Sequence, residues 1–119
     1  MKTVLIVDDD KEIVDFISHC LSDSYRVHTA YDGLRGLNQA RELKPDLLIL
    51  DLMMPDMHGF EVCQTLRADE GLNAMKIMIS SGKSYAVDRK AAQTIGADHY
   101  LVKPYTADEL LKAVKGLIG

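Results

Sequence analysis

The chain has 119 residues, of which 47% are hydrophobic and 27% are charged. This length is typical of one domain that buries its own core, and the composition excludes a disordered, collagen-like or coiled-coil chain. The 14 Lys and Arg residues and 18 Asp and Glu residues give a net charge of −4. We therefore predict a single domain over residues 1–119 that binds neither nucleic acid nor an anionic membrane directly.

The sequence also bears on cellular location. The apolar run from Thr3 to Val7 is too short for the core of a signal peptide. No apolar run in the sequence approaches the roughly 20 residues of a membrane-spanning helix. Cys20 and Cys63 lie far apart and lack the spacing of a zinc site or a disulfide framework, so we interpret both as small core residues. We expect a cytoplasmic protein.

The first half of the chain alternates between apolar runs and segments with helical spacing. Thr3–Val7 is rich in β-branched residues, and apolar positions then recur at three- and four-residue steps from Ile13 to Leu21, which predicts a strand followed by a helix. The shorter, half-polar run Tyr25–Ala30 suits a strand at a sheet edge, and the helix after it ends near Pro45.

The same alternation continues in the middle of the chain. The fully apolar run Leu47–Leu50 predicts a central parallel strand, because such a strand is covered on both faces. Gly59–Arg67 predicts the helix that follows. Lys76–Ile79 predicts the fourth strand, and Gly96 ends the fourth helix.

The last unit decides the fold class. His99–Val102 predicts a fifth strand, and the capping-box pattern of Thr106 and Glu109 predicts the start of a fifth helix. Five such units predict an α/β fold: a doubly wound parallel sheet with right-handed crossovers and helices on both faces. The sheet is open, because a closed barrel of this kind needs about eight units.

Polar residues follow four of the predicted strands. Ligands of an open doubly wound sheet bind outside the carboxyl ends of its strands, so these residues are expected to meet at one edge. They are Asp8-Asp9-Asp10 after the first strand, Asp51 after the third, Ser80-Ser81-Gly82 after the fourth and Lys103-Pro104 after the fifth.

The carboxylates of this edge predict a metal site. Asp8, Asp9 and Asp51 in one crevice would repel one another unless a divalent cation neutralised them, and oxygen ligands suit Mg²⁺ better than zinc. Capping of the first helix is an equally good interpretation of Asp9 or Asp10 taken alone, because Glu12 completes the pattern. Capping fails for Asp51, because the residues after it do not open a helix directly.

Lys103 and Ser81 each have two interpretations. A lone lysine at a strand end usually extends to solvent, and serines beside Gly82 are common loop residues. Beside three carboxylates, Lys103 would instead form an ion pair. If a phosphoryl group binds at this edge, the Lys103 ammonium and the Ser81 hydroxyl are the donors that would stabilise its oxygens.

Four motifs in order resemble the receiver domain of two-component response regulators, and the match covers essentially the whole chain. They are Val7-Asp8-Asp9, the segment from Asp51 through Pro55 with Gly59, Ser81-Gly82, and the segment from Gly96 to Pro104. The resemblance implies the flavodoxin-like strand order 2-1-3-4-5 with five helices. Pro104 matches a position where the family holds a cis peptide bond, an isomer that an X-Pro bond permits but that the sequence leaves open.

The resemblance assigns roles to individual residues. Asp51 is the expected phospho-acceptor, a nucleophile that becomes an acyl phosphate. Mg²⁺ is the expected cofactor, held by Asp9, Asp51 and the backbone carbonyl of Met53, with Asp8 acting directly or through water. Lys103 is expected to pair with a phosphoryl oxygen.

The resemblance also implies a switch and its partners. Ser81 matches a hydroxyl that turns toward the phosphoryl group, and Tyr100 matches an aromatic residue that moves inward behind it. The expected donor is a sensor histidine kinase or a histidine phosphotransfer protein, and the output is altered affinity for an unidentified protein target. The domain is then regulatory rather than an enzyme, although it assists its own phosphorylation and dephosphorylation.

Three other functions use a similar fold or nucleophile. A phosphohydrolase of the haloacid-dehalogenase type needs a second acid where Met53 stands, and a flavin carrier needs a phosphate loop where the three consecutive aspartates stand. A pseudo-receiver that binds partners without phosphorylation is the alternative that remains open. It would typically lack one of Asp9, Asp51 and Lys103, and all three are present.

Overall fold

The computed structural model describes residues 1–82 and 86–119. The described part forms a five-stranded parallel sheet in the order β2-β1-β3-β4-β5, which confirms the predicted flavodoxin-like topology. The strands are β1 Thr3–Val7, β2 Arg26–Ala30, β3 Leu47–Asp51, β4 Lys76–Ser81 and β5 His99–Val102. The helices are α1 Lys11–Leu21, α2 Gly33–Leu43, α3 Gly59–Arg67, α4 Ala86–Thr94 and α5 Ala107–Ile118, with a short 3₁₀ helix at Glu70–Leu72.

Three boundaries differ from the sequence-based prediction. β2 begins one residue later than expected, because the backbone N–H of Tyr25 donates to the carbonyl of Leu21 at the exit of α1. β3 and β4 extend into polar residues, since Asp51 pairs with Ser80 in the ladder. The 3₁₀ helix was not predicted from the sequence; the Asp69 carboxylate caps it.

The start of α1 decides between two interpretations of the acidic run. Asp10 is the N-cap, and its carboxylate accepts hydrogen bonds from the backbone N–H groups of Glu12 and Ile13 at 3.0 and 3.4 Å. Asp9 therefore does not cap the helix, and its side chain is exposed beside the carboxyl end of β1.

The core consists of two layers, one on each face of the sheet. Leu50 and Ile79 belong to the layer under α2 and α3, and Ile49 and Met78 belong to the layer under α1 and α5. Because side chains alternate between faces along a strand, Asp51 falls on the α1 and α5 face. Cys63 is buried as predicted, whereas Cys20 is only partly buried.

The segment after β5 is fixed by backbone contacts. The Lys103-Pro104 bond is cis, as the resemblance implied. The N–H of Lys103 donates to the carbonyl of Ser81 at 2.7 Å, so the ladder between β4 and β5 continues to the edge of the sheet. Within the described residues, no helix combines the length and apolar content that a bilayer crossing requires.

Candidate functional site

The Lys103 ammonium lies between two buried carboxylates at the carboxyl edge of the sheet. Its Nζ is 2.9 Å from Asp8 Oδ2 and 3.4 Å from Asp51 Oδ1. The side chains of Asp8 and Asp51 are only 2% and 9% exposed. The ion-pair interpretation of Lys103 is therefore correct, and the cluster joins the carboxyl ends of β1, β3 and β5.

Both carboxylate oxygens of Asp8 have a donor. Oδ1 accepts the backbone N–H of Asp10 at 2.9 Å, and Oδ2 accepts from Lys103. Asp10 in turn caps α1, so the turn from β1 into α1 and the orientation of Asp8 are fixed together. Such charge-assisted hydrogen bonds hold a carboxylate more firmly than neutral ones.

Asp51 is the member of the cluster whose charge is least well compensated. Burial raises its pKa, and repulsion from Asp8 and, to a smaller extent, from the exposed Asp9 raises it further. Lys103 lowers the pKa, and the net result is a pKa of about 6 against an ordinary value of 3.8. A carboxylate with this environment is expected to bind an additional positive charge tightly.

The donor set fits a small, hard cation. Asp8, Asp9 and Asp51 each offer one carboxylate oxygen, and these three atoms all lie within 4.8 Å of one another. An all-oxygen set of this kind suits Mg²⁺, which usually keeps several of its own waters. The fourth predicted ligand, the carbonyl of Met53, belongs to the loop that follows β3.

That loop is closed by contacts at its base and its tip. Met53 and His58 form an isolated antiparallel bridge, and the N–H of Gly59 donates to the carbonyl of Leu52 at 2.7 Å. A Cβ on Gly59 would lie 2.4 Å from the Asp51 carbonyl oxygen, so no side chain fits there without moving β3. This close approach explains the glycine in the motif.

The tip of the loop is anchored to the first turn of α2. Asp56 accepts hydrogen bonds from the N–H groups of Gly33 and Leu34, each at 3.0 Å. These bonds lower the pKa of Asp56 from its ordinary value of 3.8. A carboxylate at a helix N-terminus is also favoured by the helix dipole.

Ser81 and Tyr100 lie near the carboxylate cluster but on the other face of the sheet. Tyr100 packs against the layer under α2 and α3, and alternation along β4 directs Ser81 to that same face. Arg89 of α4 lies over the Tyr100 ring, 5.8 Å from its centroid, beside a cleft of about 210 Å³. The structure thus brings Asp8, Asp9, Asp51 and Lys103 together, and the switch roles of Ser81 and Tyr100 stay predictions.

Sequence reasoning missed two polar contacts of the site. The hydroxyl groups of Ser80 and Tyr105 are hydrogen-bonded at 2.9 Å, and Asp56 anchors the loop after β3. Asp56 had no motif to distinguish it. Alternation could have placed Ser80 on the same face as Asp51, but its partner lies 25 residues away.

A family model supports the resemblance that these residues carry. The model for the response regulator receiver domain matches residues 4–115. The chain belongs to this family. It is a response regulator receiver domain of the kind found in two-component systems.

Curated relatives of this receiver are longer proteins. It is 40% identical over 119 residues to the DNA-binding dual master transcriptional regulator RpaA of Synechocystis sp., covering 99% of this chain and 49% of that protein. It is 37% identical to the response regulator ArlR of Staphylococcus aureus, covering 99% of this chain and 53% of that protein. The chain therefore spans about half the length of these relatives.

Solved receiver structures match over nearly the whole chain. The chemotaxis protein CheY4 of Vibrio cholerae superposes with a TM-score of 0.93 and 33% identity, covering 98% of each chain. The BeF₃-activated receiver domain of DrrB superposes with a TM-score of 0.90 and 31% identity, covering 98% of this chain and 97% of that one. These matches confirm the fold.

Proposed function

We propose that this receiver accepts a phosphoryl group on Asp51 from a phosphohistidine of a sensor kinase or a phosphotransfer protein. The observation that supports this most directly is the Lys103 ammonium, 3.4 Å from Asp51 Oδ1 in a cluster of three carboxylates. The distance supports a role for this ammonium as a donor to phosphoryl oxygens on Asp51, and the acidic cluster offers a site for a second cation.

In the transfer step, an oxygen of ionised Asp51 attacks the phosphorus atom. A new O–P bond forms while the P–N bond to the partner's imidazole breaks, and the leaving nitrogen keeps the electron pair of that bond. With a pKa of about 6, Asp51 is mostly ionised at neutral pH. Asp9, Asp51 and the Met53 carbonyl would hold Mg²⁺, with Asp8 acting directly or through water, and the bound ion would neutralise charge on the phosphoryl oxygens.

Phosphorylation then changes the surface on the other face of the sheet. Ser81 turns toward the phosphoryl oxygens, and Tyr100 moves into the space behind it, away from Arg89. Two states that differ in these positions present different surfaces near α4 and β5, so a partner that prefers one state responds to phosphorylation.

This function belongs to a regulatory domain that spans residues 1–119 and assists its own phosphorylation and dephosphorylation. The partners are a kinase or phosphotransfer protein as donor and a protein target for the output. The cytoplasmic location expected from the sequence remains a prediction.

Intact mass after incubation with acetyl phosphate tests the proposal. We expect one phosphoryl adduct that requires Mg²⁺ and is absent from Asp51→Asn. Asp10→Asn is the matched control, because asparagine also caps helices and Asp10 lies outside the proposed ligand set. Failure of the folded wild type to form an adduct under any condition would overturn the proposal in favour of a phosphorylation-independent interaction module.

A further inference from the structure

A partly buried pair of hydroxyl groups lies on the same face of the sheet as the acceptor. Ser80 is 1% exposed, and its Oγ is 2.9 Å from the hydroxyl of Tyr105. Ser80 is also the ladder partner of Asp51, and paired residues of neighbouring strands point to the same face. The pair therefore lies beside the phospho-acceptor, although neither hydroxyl has a role in the transfer described above.

The pair and one backbone contact fix both ends of a three-residue segment. Before Pro104, the N–H of Lys103 donates to the carbonyl of Ser81 at 2.7 Å. After Pro104, the Tyr105 hydroxyl reaches the side chain of Ser80. Segment 103–105 is thus attached to two consecutive residues of β4, and the Lys103 side chain departs from within it.

Tyr105 lies close enough to the charged cluster to interact with it electrostatically. Burial is the main cause that raises its pKa, so the hydroxyl stays neutral and can exchange a hydrogen bond with Ser80 at physiological pH. Lys103, Asp8 and Asp51 all act on this hydroxyl electrostatically. Its ring also contacts Phe16 of α1, with 6.3 Å between centroids, so the ring remains packed when the hydroxyl is removed.

We propose that the Ser80–Tyr105 hydroxyl pair is a positioning element for Lys103, which sets how well the Lys103 ammonium reaches Asp51 and its phosphoryl group. The inference rests on the proposed phosphorylation of Asp51. Tyr105 and Ser80 touch neither reactant, so they act through Lys103 and are positioning residues rather than catalytic ones. Loss of the hydrogen bond lets segment 103–105 move away from β4 and weakens the Lys103 contact.

A purely structural role predicts a different pattern of mutant effects. A buried hydroxyl that loses its partner is costly, whereas replacing both partners with apolar groups of similar shape is nearly neutral for stability. Ser80→Ala and Tyr105→Phe should therefore each destabilise the fold, and the double variant should recover stability. If the pair positions Lys103, the double variant still labels slowly, because the tether is absent.

The experiment compares labelling rate with stability. The rate of Mg²⁺-dependent labelling of Asp51 by acetyl phosphate is measured for wild type, Ser80→Ala, Tyr105→Phe and the double variant, alongside urea denaturation. We expect all three variants to label about threefold to tenfold more slowly than wild type, as the loss of one hydrogen bond allows. Tyr25→Phe is the matched control, since its buried hydroxyl donates to the carbonyl of Gly119, on another part of the molecule.

A second readout needs no phosphorylation. The NMR resonance of the Lys103 Cε reports the environment of its ammonium, and exposed Lys112 provides a reference in the same spectrum. We expect the Lys103 resonance of Tyr105→Phe to shift toward that of Lys112, with no such shift in Tyr25→Phe.

The outcomes separate the two proposals. A wild type that never labels removes the proposed function, while the Lys103 resonance still tests the positioning role. A wild type that labels, together with a double variant that labels equally fast or a Lys103 resonance that does not move, overturns the positioning role alone.

Discussion

Strand β4 has a charged cluster at each end, and the two clusters differ in how their charges are compensated. At the amino end, Arg67 Nη2 lies 2.7 Å from Asp98 Oδ2, which also accepts the N–H of Ile77 at 2.8 Å. Arg67 also donates to the carbonyls of Gly96 and Met75, at 2.9 and 2.6 Å. One cation meets one anion here, and these contacts join α3 and β4 to the loops that precede β4 and β5.

At the carboxyl end, three carboxylates share one ammonium. Asp8, Asp9 and Asp51 approach within 4.8 Å, and only Lys103 opposes their repulsion at close range among the described residues. Burial and repulsion from Asp8 raise the pKa of Asp51 despite the opposing effect of Lys103. The Arg67–Asp98 cluster, which only holds parts of the fold together, has equal positive and negative charge. The cluster at the carboxyl end has an excess of negative charge, and this is the place where we propose that a cation binds.

The largest predicted effect on stability comes from the balanced cluster. Arg67→Ala leaves Asp98 without its cation and the carbonyls of Gly96 and Met75 without this donor, so we expect the free energy of unfolding to fall by about 2–3 kcal/mol. Urea denaturation measures this change in the free energy of unfolding. Labelling of the folded variant by acetyl phosphate should stay within about twofold of wild type, because Arg67 is remote from the acceptor. A large loss of labelling in folded protein would break the distinction between the two ends.

Removal of the acceptor charge should have the opposite effect on stability. The folded-state pKa of Asp51 lies above its ordinary value, so its contribution to stability is fully present below about pH 4 and is lost as pH rises through about 6. In Mg²⁺-free buffer at pH 7.5, we expect Asp51→Asn to be about 2 kcal/mol more stable than wild type. The gap should close between pH 6 and pH 4, as urea denaturation at each pH would show.

Asp10→Asn serves as the control in the same series, because this variant removes a neighbouring charge that lies outside the crowded set. A stability gap for Asp51→Asn that stays constant from pH 4 to pH 7.5 would mean that the acceptor carboxyl is not held at a raised pKa.

Sequence patterns predicted the architecture because each element carries its own local signal. The continuous apolar runs of β1 and β3, the helical spacing of α1 and the capping box of α5 identify these elements without tertiary information. The ends of the strands were predicted less accurately than their centres. The β3–β4 ladder continues through the polar residues Asp51 and Ser80, because these two residues pair with each other. The extent of a strand therefore depends on its partners.

The site was predictable in composition but not in its fine contacts. Strand-end positions indicated that Asp8, Asp51 and Lys103 would meet, because parallel strands end at one edge. The choice of Asp10 as helix cap depended on backbone geometry. The hydrogen bond between Ser80 and Tyr105 joins residues whose types are common and whose spacing has no pattern, so only the folded chain reveals it.

A cation should relieve the unbalanced cluster. At pH 7.5 and Mg²⁺ at ten times its dissociation constant, binding to the native state alone should add about 1.4 kcal/mol to the free energy of unfolding. Protonation of Asp51 competes with the cation, so the apparent affinity should fall as pH drops through about 6. Thermal unfolding with and without Mg²⁺ at pH 7.5 and pH 5 measures both effects.

Asp9→Asn should lose most of this Mg²⁺-dependent stabilisation, and Asp10→Asn should retain it. Equal stabilisation of wild type and Asp9→Asn, or an effect that does not weaken at pH 5, would show that the cation does not bind at these carboxylates.

The smallest predicted effect comes from Asp56, an acid near the same edge whose pKa is shifted the other way. The N–H groups of Gly33 and Leu34 lower that pKa, so the ionised form stabilises the fold above about pH 4, and this contribution is lost as pH falls below that value. Asp56→Asn should therefore be slightly less stable than wild type at pH 7, with the gap closing toward pH 3, whereas Asp51→Asn should be more stable. Asp15→Asn, on an exposed position of α1, is the control in the urea series. Opposite signs for Asp51 and Asp56 would show that burial and local donors, rather than proximity to the edge, decide the pKa of each carboxylate, and equal signs would contradict this explanation.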